Sequence, residues 1–311
     1  MELNPIVYTK SMASQLQTLI VDAFRNLSPL PVVPQRSYLV IIDGLDECRD
    51  KATQQLILRL LCETITVHKL PLRFLIGSRP ESHIRVSFDR ESLYTITRRV
   101  VLDETFNPGR DIRVFLQDGF AKICAENSIL SQPWPSKGII DLLVQRSSGQ
   151  FIYAATVLKF VGADFCSPTE RLALVLKSDS TAFSDLDQLY TQILSVYPST
   201  VNIVQILGFI IAYGENSAEV IEDILGMEEV HLKQVLRGLS SLMKDEKNGN
   251  GECLNEGVSS YVIPPFAHAS FRDYLFDSSR SGRFHVNRQE YDNQFTIRSF
   301  ALILQSIRSW R

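Results

Sequence analysis

None of the 15 glycines in this chain of 311 residues is followed by lysine. A phosphate loop of the form G-x-x-x-x-G-K-[ST], whose backbone amides and lysine cradle nucleotide phosphates, is therefore absent throughout. The five cysteines (Cys48, Cys62, Cys124, Cys166 and Cys253) are scattered, odd in number and without a C-x-x-C pair. That spacing argues against both a disulfide framework and a structural zinc site, as suits a reducing compartment. The longest apolar run, Ile206 to Tyr213, is far short of the ~20 residues a membrane helix needs. The opening Met-Glu-Leu-Asn-Pro has neither the basic nor the apolar region of a signal peptide. A formal net charge of -3 offers no bulk attraction to nucleic acid or anionic membrane. There is no G-x-S-x-G elbow and no H-E-x-x-H, and the five histidines (His68, His83, His231, His268, His285) lie far apart. No internal repeat of ~20–50 residue period is visible. The expectation is a cytoplasmic protein with no membrane, DNA or RNA partner. At 45% hydrophobic and 22% charged, it has room for two or three globular units.

What is present centres on Tyr38-Leu-Val-Ile-Ile-Asp-Gly-Leu-Asp-Glu-Cys48. Leu39 to Ile42 is an apolar run without alternation, which predicts a strand buried on both faces of a helix-covered parallel sheet. Asp43, Asp46 and Glu47 then fall at the carboxyl end of that strand, where open α/β sheets bind ligands. Such carboxylates suit Mg²⁺; an acidic turn bent by Gly44 is the plainer alternative. Upstream, Ser11 to Phe24 predicts a helix with Met12, Leu16, Leu19, Ile20 and Phe24 inward and Ser11 as its cap. Asn26 to Ser37, with three prolines, is a connector. Asp50 to His68 predicts a helix with Leu56, Ile57, Leu60 and Leu61 inward. Leu72 to Gly77 reads as a second buried strand and Tyr94 to Leu102 as a third. Strands separated by long crossovers indicate a parallel sheet.

Leu39-Val-Ile-Ile-Asp-Gly-Leu-Asp-Glu47 resembles the Walker B strand of NACHT-type signal-transduction NTPases. Leu72-Arg-Phe-Leu-Ile-Gly-Ser-Arg-Pro80 resembles the next strand with its sensor-1 arginine. The chain is thus similar to STAND-class P-loop NTPases of the fungal NLR-like or nephrocystin-3-like N-terminal type, lacking Walker A, over roughly residues 4 to 290. The resemblance implies ATP or ADP and Mg²⁺ as cofactors. It implies that Asp43 ligates Mg²⁺ through water, that Asp46 and Glu47 position water for catalysis, and that Arg79, with Ser78 beside it, reports the γ-phosphate. Simpler roles remain open. Asp46 and Glu47 could cap the helix beginning near Asp50. Arg79 could pair with Glu81 on the surface, and Ser78 could serve the turn before Pro80. The family's strand order of 2-3-4-1-5 implies that, without the phosphate-loop strand, Leu72 to Gly77 has an open edge.

Beyond Arg110 the period becomes helical. Arg110 to Asn127, a helix from the Pro133–Ser136 break through Arg146, and Phe151 to Val161, apolar nearly all round, predict a helical subdomain. Ser147 to Thr156 resembles the segment that closes over the base in the same family. Val201–Tyr213, Ser217–Leu225 and Val230–Leu242 are three more helices, followed by a polar loop from Lys244 to Gly257 and the strand-like Tyr261-Val-Ile-Pro-Pro265. This is the outline of a winged helix. A DNA-binding role fits poorly, because Lys233 and Arg237 face Glu219, Glu222, Asp223, Glu228 and Glu229. Phe266 to Leu275 resembles the histidine-containing segment of NACHT winged helices, which implies that His268 reaches the diphosphate of ADP. Read alone, His268 beside Phe266 and Phe271 is a hydrogen-bonded core residue. Phe295 to Trp310 begins a further helix.

The expected fold is α/β followed by all-α: a truncated parallel P-loop NTPase sheet over 1–105, a helical subdomain over 106–180, a winged-helix-like domain over 181–286 and the start of a helical region over 287–311. The function these features imply is a partial NACHT module of a nucleotide-dependent oligomerisation switch in incompatibility or innate-immunity-like signalling, with weak or no ATP binding of its own. The alternatives are a non-enzymatic scaffold or decoy, or an incomplete gene product. Full-length NACHT relatives, or further copies of the chain, are the expected partners.

Overall fold

The computed structural model describes residues 5–26, 37–48, 50–102, 104–127, 133–163, 167–177, 184–196, 200–213, 218–244 and 265–309. Most of the proline-rich connector, Cys166, Cys253, the polar loop beyond Lys244 and residues 261–264 of the strand-like stretch lie outside them. The chain is mostly helical, with one small parallel sheet, and divides into two units, residues 1–101 and 102–311. No helix among the described residues is long and apolar enough to cross a membrane.

In the first unit, Ser11 caps as its hydroxyl predicts, accepting from the Ser14 N–H at 3.3 Å. α1 (Met12–Leu16) runs through a π turn (Gln17–Val21) into α2 (Asp22–Asn26). A π turn carries more residues than an α turn, so the inward position slips along the chain. Val21 is accordingly fully buried, while Leu19, expected inward from a 3.6-residue period, is 44% exposed. β1 (Tyr38–Ile42) and β2 (Leu72–Ile76) pair in parallel, Tyr38 opposite Leu72 and Ile42 opposite Ile76. Between them runs α3 (Lys51–Thr66), capped by Asp50, whose Oδ1 accepts from the Thr53 N–H at 2.7 Å. Its buried residues are Gln54, Leu58, Leu60, Leu61, Cys62 and Thr64, so Leu60 and Leu61 are buried as expected, while Leu58 is buried and Leu56 only partly so. α4 (Ser82–Phe88) and α5 (Glu91–Tyr94) follow β2.

Two expectations about the sheet are corrected. The strands are not buried on both faces: Leu39, Ile41 and Leu75 are 62%, 67% and 57% exposed. The helices reach one face only, where Leu58, Cys62, Ile84 and Leu93 cluster with Leu45, against Ile57, Ile76 and Phe88. Tyr94 to Leu102 is not a strand either: α5 ends at Tyr94, and Val100, Val101 and Leu102 are strongly exposed. A strand persists only beside a pairing partner, and among the described residues none is offered there. Arg99 instead pairs with Asp89 at 2.7 Å and lies over the Phe88 ring.

The second unit is built from α6 (Pro108–Glu126), α7 (Lys137–Ser147), α8 (Phe151–Val161), α9 (Pro168–Leu176), α10 (Asp185–Ser195), α11 (Thr200–Tyr213), α12 (Ala218–Leu225), α13 (Glu229–Leu239), α14 (Ala269–Phe276), α15 (Ser278–Ser281) and α16 (Arg288–Ser309). One hydrophobic cluster runs through them from Ile112 to Phe295. α8 is buried along Tyr153, Ala154, Val157, Phe160 and Val161, as its apolar composition predicts. After α13 the chain forms an antiparallel bridge between Met243 and Phe266, with the Lys244 N–H donating to the Pro265 carbonyl at 2.9 Å.

A polar belt ties α10 to α14 and α15. Buried Asp187 accepts from Arg280 Nε at 2.9 Å and from its terminal nitrogen at 2.6 Å, and this pairing raises the arginine's pKa. Tyr190 OH meets Ser270 Oγ at 2.8 Å, and Tyr274 OH meets Thr191 Oγ1 at 2.8 Å. Burial pushes the phenols of Tyr153, Tyr190 and Tyr274 up to about 12 from an ordinary 10.0. Because the raised value belongs to the folded state, each neutral phenol stabilises the fold below the unfolded value of 10.0, and that contribution is lost as pH climbs toward about 12. At about 2–3 kcal/mol per phenol, the second unit is expected to unfold cooperatively across that alkaline window. Circular dichroism read against tyrosinate absorbance checks this; phenols that ionise with the helices intact would contradict it.

Candidate functional site

The site expected at the strand ends is assembled by the turn between β1 and α3. The Gly77 N–H extends the ladder by donating to the Ile42 carbonyl at 2.8 Å, and the Leu45 N–H donates back to the Gly77 carbonyl at 3.1 Å. Gly44, at φ 70, takes the left-handed conformation that favours glycine and turns the chain into a 3₁₀ segment, Leu45–Glu47. Leu45 is fully buried and anchors that segment in the core of the first unit. The Asp43 side chain lies across Gly77: a Cβ there would stand 2.6 Å from Asp43 Oδ1 and would push that carboxylate aside.

Asp46 reaches the end of β2. Its Oδ1 accepts from the Arg79 N–H at 2.9 Å and from Ser78 Oγ at 3.3 Å, and its Oδ2 lies 3.5 Å from Arg79 Nε. The Asp46 side chain is only 10% exposed, against 40% for Arg79. Behind it, buried Gln54 donates through Nε2 to the carbonyls of Asp46 and Cys48, both at 2.9 Å. With both amide hydrogens engaged, Gln54 Oε1 faces His83 Nε2, which must therefore carry the proton. His83 Nδ1 is buried without a hydrogen-bond partner among the described residues.

Asp43, Asp46, Ser78 and Arg79 are thus brought together, with Glu47 exposed above Gly44. The helix that begins after Asp50 is capped by Asp50 itself, and Asp46 binds β2's exit instead. Among the described residues no group of three or more His, Cys, Asp or Glu is gathered to hold a metal. Exposed Asp43 fits the lesser demand of Mg²⁺, which takes one or two carboxylates with waters and phosphate oxygens.

His268 belongs to the second unit. It is exposed rather than a core residue, and it caps α14: the Ser270 N–H donates to its Nδ1 at 3.1 Å. Ser270 Oγ lies 2.7 Å from the same nitrogen. Accepting at Nδ1 leaves the ring proton on Nε2.

Sequence reasoning missed Leu45, Gln54, Gly77 and His83. Gln54 carried a readable signal, being a polar residue four positions before Leu58 on the inward stripe. Nothing in the sequence marked His83.

The nephrocystin 3, N-terminal family matches residues 6–79, about a quarter of the chain, and this region, which includes the acidic turn, Ser78 and Arg79, is similar to it. No curated protein and no solved structure matches the chain.

Gln54→Leu would leave the Asp46 and Cys48 carbonyls without their donor. It is expected to cost the first unit about 1–3 kcal/mol and to speed hydrogen exchange at the Arg79 amide. Unchanged exchange at that amide would show that Gln54 does not hold the turn.

Proposed function

We propose that the chain is a partial NACHT-type module of a STAND-class P-loop NTPase, a nucleotide-responsive switch that has kept one wall of a phosphate-handling pocket. The observation that carries this reading is the convergence of Asp46, Ser78 and Arg79 at the carboxyl ends of two parallel strands, the place where open sheets bind ligands. The similarity of residues 6–79 to the nephrocystin 3 N-terminal family supports it. In this reading Arg79 and Ser78 meet phosphate oxygens and Asp43 holds Mg²⁺ through water. Asp46 and Glu47 position the attacking water. Bound Mg²⁺ would neutralise charge on the phosphates. The three helices α11, α12 and α13, with the antiparallel bridge after them, form the winged-helix-like part that carries His268.

Magnitudes limit the affinity. A micromolar site requires about 8 kcal/mol, and Arg79 supplies a charge-assisted hydrogen bond of roughly 1.5–3 kcal/mol. No Gly-Lys pair adds a backbone cradle. Calorimetric titration with Mg-ATP and Mg-ADP is expected to give millimolar dissociation constants that Arg79→Ala weakens further. A low-micromolar constant, or one indifferent to Arg79, would overturn the assignment.

A second, non-enzymatic reading is favoured by the bare sheet face of Leu39, Ile41 and Leu75. Here the chain is a scaffold or decoy that pairs through its open sheet with a full-length relative or a second copy, since an apolar face marks an interaction surface and, among the described residues, each strand of the sheet keeps an unpaired edge. Light scattering is expected to show species larger than the monomer, reduced when Leu39→Ser, Ile41→Ser and Leu75→Ser are combined. A monodisperse monomer would remove this reading.

A further inference from the structure

One carboxylate at the end of β2 is held by a backbone N–H and a guanidinium. The Arg79 N–H donates to Asp46 Oδ1 and its guanidinium faces Oδ2, while the single proton of Ser78 Oγ is divided between Asp46 Oδ1 at 3.3 Å and the Arg79 carbonyl at 3.0 Å. That set is the one proteins use to bind phosphate-type oxyanions, in which charge-assisted bonds to planar guanidinium and fixed amides give both strength and direction. An ordinary surface pair leaves both partners in water, whereas here the carboxylate is 10% exposed. Its main chain is also pinned from behind by Gln54. The cradle is therefore filled by an anion of the chain itself.

We propose that Asp46 is an internal competitor for this oxyanion site, keeping phosphate groups off Ser78 and Arg79 until its side chain swings away from them, the main chain staying pinned. The inference rests on the phosphate-handling reading of this strand end, and it adds how access to the site is controlled. Two anions cannot share one donor set, because each disfavours the charged form of the other. Asp43 and Glu47 nearby add to that exclusion. A phosphate and the Asp46 carboxylate thus occupy the cradle in turn.

The test titrates inorganic phosphate, without nucleotide, into the full chain and its variants by ³¹P line broadening. Asp46→Ala is expected to bind phosphate about tenfold or more tighter than the unaltered chain, the worth of one charge-assisted hydrogen bond. The gain should vanish in Asp46→Ala/Arg79→Ala. Asp46→Asn, which keeps the side-chain shape and folds where Ala does not, should give a smaller gain. Acetate, a free carboxylate, should raise the melting temperature of Asp46→Ala but not of the double variant. Equal phosphate binding by the unaltered chain and Asp46→Ala, or a gain that survives loss of Arg79, overturns the proposal. Parallel titrations with Mg-ADP separate the two claims. Phosphate capture by Asp46→Ala without nucleotide binding keeps the gate and removes the nucleotide reading, while nucleotide binding indifferent to Asp46 does the reverse.

Discussion

Two parallel strands cannot cover themselves. Antiparallel strands close through a tight turn, but parallel neighbours need a long crossover, and that crossover lands on one face. α3 is the crossover between β1 and β2, and with α4 and α5 it covers a single side of the sheet. Everything else in the first unit answers to that asymmetry. The turn after β1 must dip into the covered side, which it does with Leu45. Its carboxylates are then left at the rim, and the one that bends back meets the start of the segment after β2.

That geometry also explains why the first unit is held by directional bonds where the second relies on burial. Its core cluster has five buried side chains, too few to fix a turn by packing alone, so Asp46, Gln54 and Arg79 supply fixed hydrogen-bond directions instead. In the second unit a cluster running from Ile112 to Phe295 buries helices on several sides, and polar groups such as Asp187 and Tyr190 enter only where a partner is already in place. Regions with few buried contacts open first. The acidic turn therefore sits on the unit with fewer buried side chains among the described residues.

Much of this was legible in the residues and the rest was not, for physical reasons. Ser11 and Asp50 announced their helix ends because a capping oxygen needs only local sequence. The run Tyr38–Ile42 and the acidic residues after it marked a strand and its exit correctly. Whether that strand is covered depends on which other elements exist, and no local pattern reports it; Leu39 and Ile41 are apolar yet exposed for that reason. Tyr94 to Leu102 had strand composition without a partner, and composition cannot supply one. The slip at Leu19 has a different origin, since a π turn shifts the face without altering residue type. At the site, the partnership of Asp46 with Arg79 spans a helix and a strand, and only the register of Tyr38 with Leu72 brings the two exits level.

His268 shows how a surface residue can be wired to a core. Its Nδ1 accepts from the first turn of α14. The hydroxyl of Ser270, against the same nitrogen, is shared with Tyr190 of α10, which stands edge-on to Phe271 inside the cluster. The ring is thereby held in one orientation at the start of α14. Any pull on the ring acts at once on a helix cap and on a buried phenol.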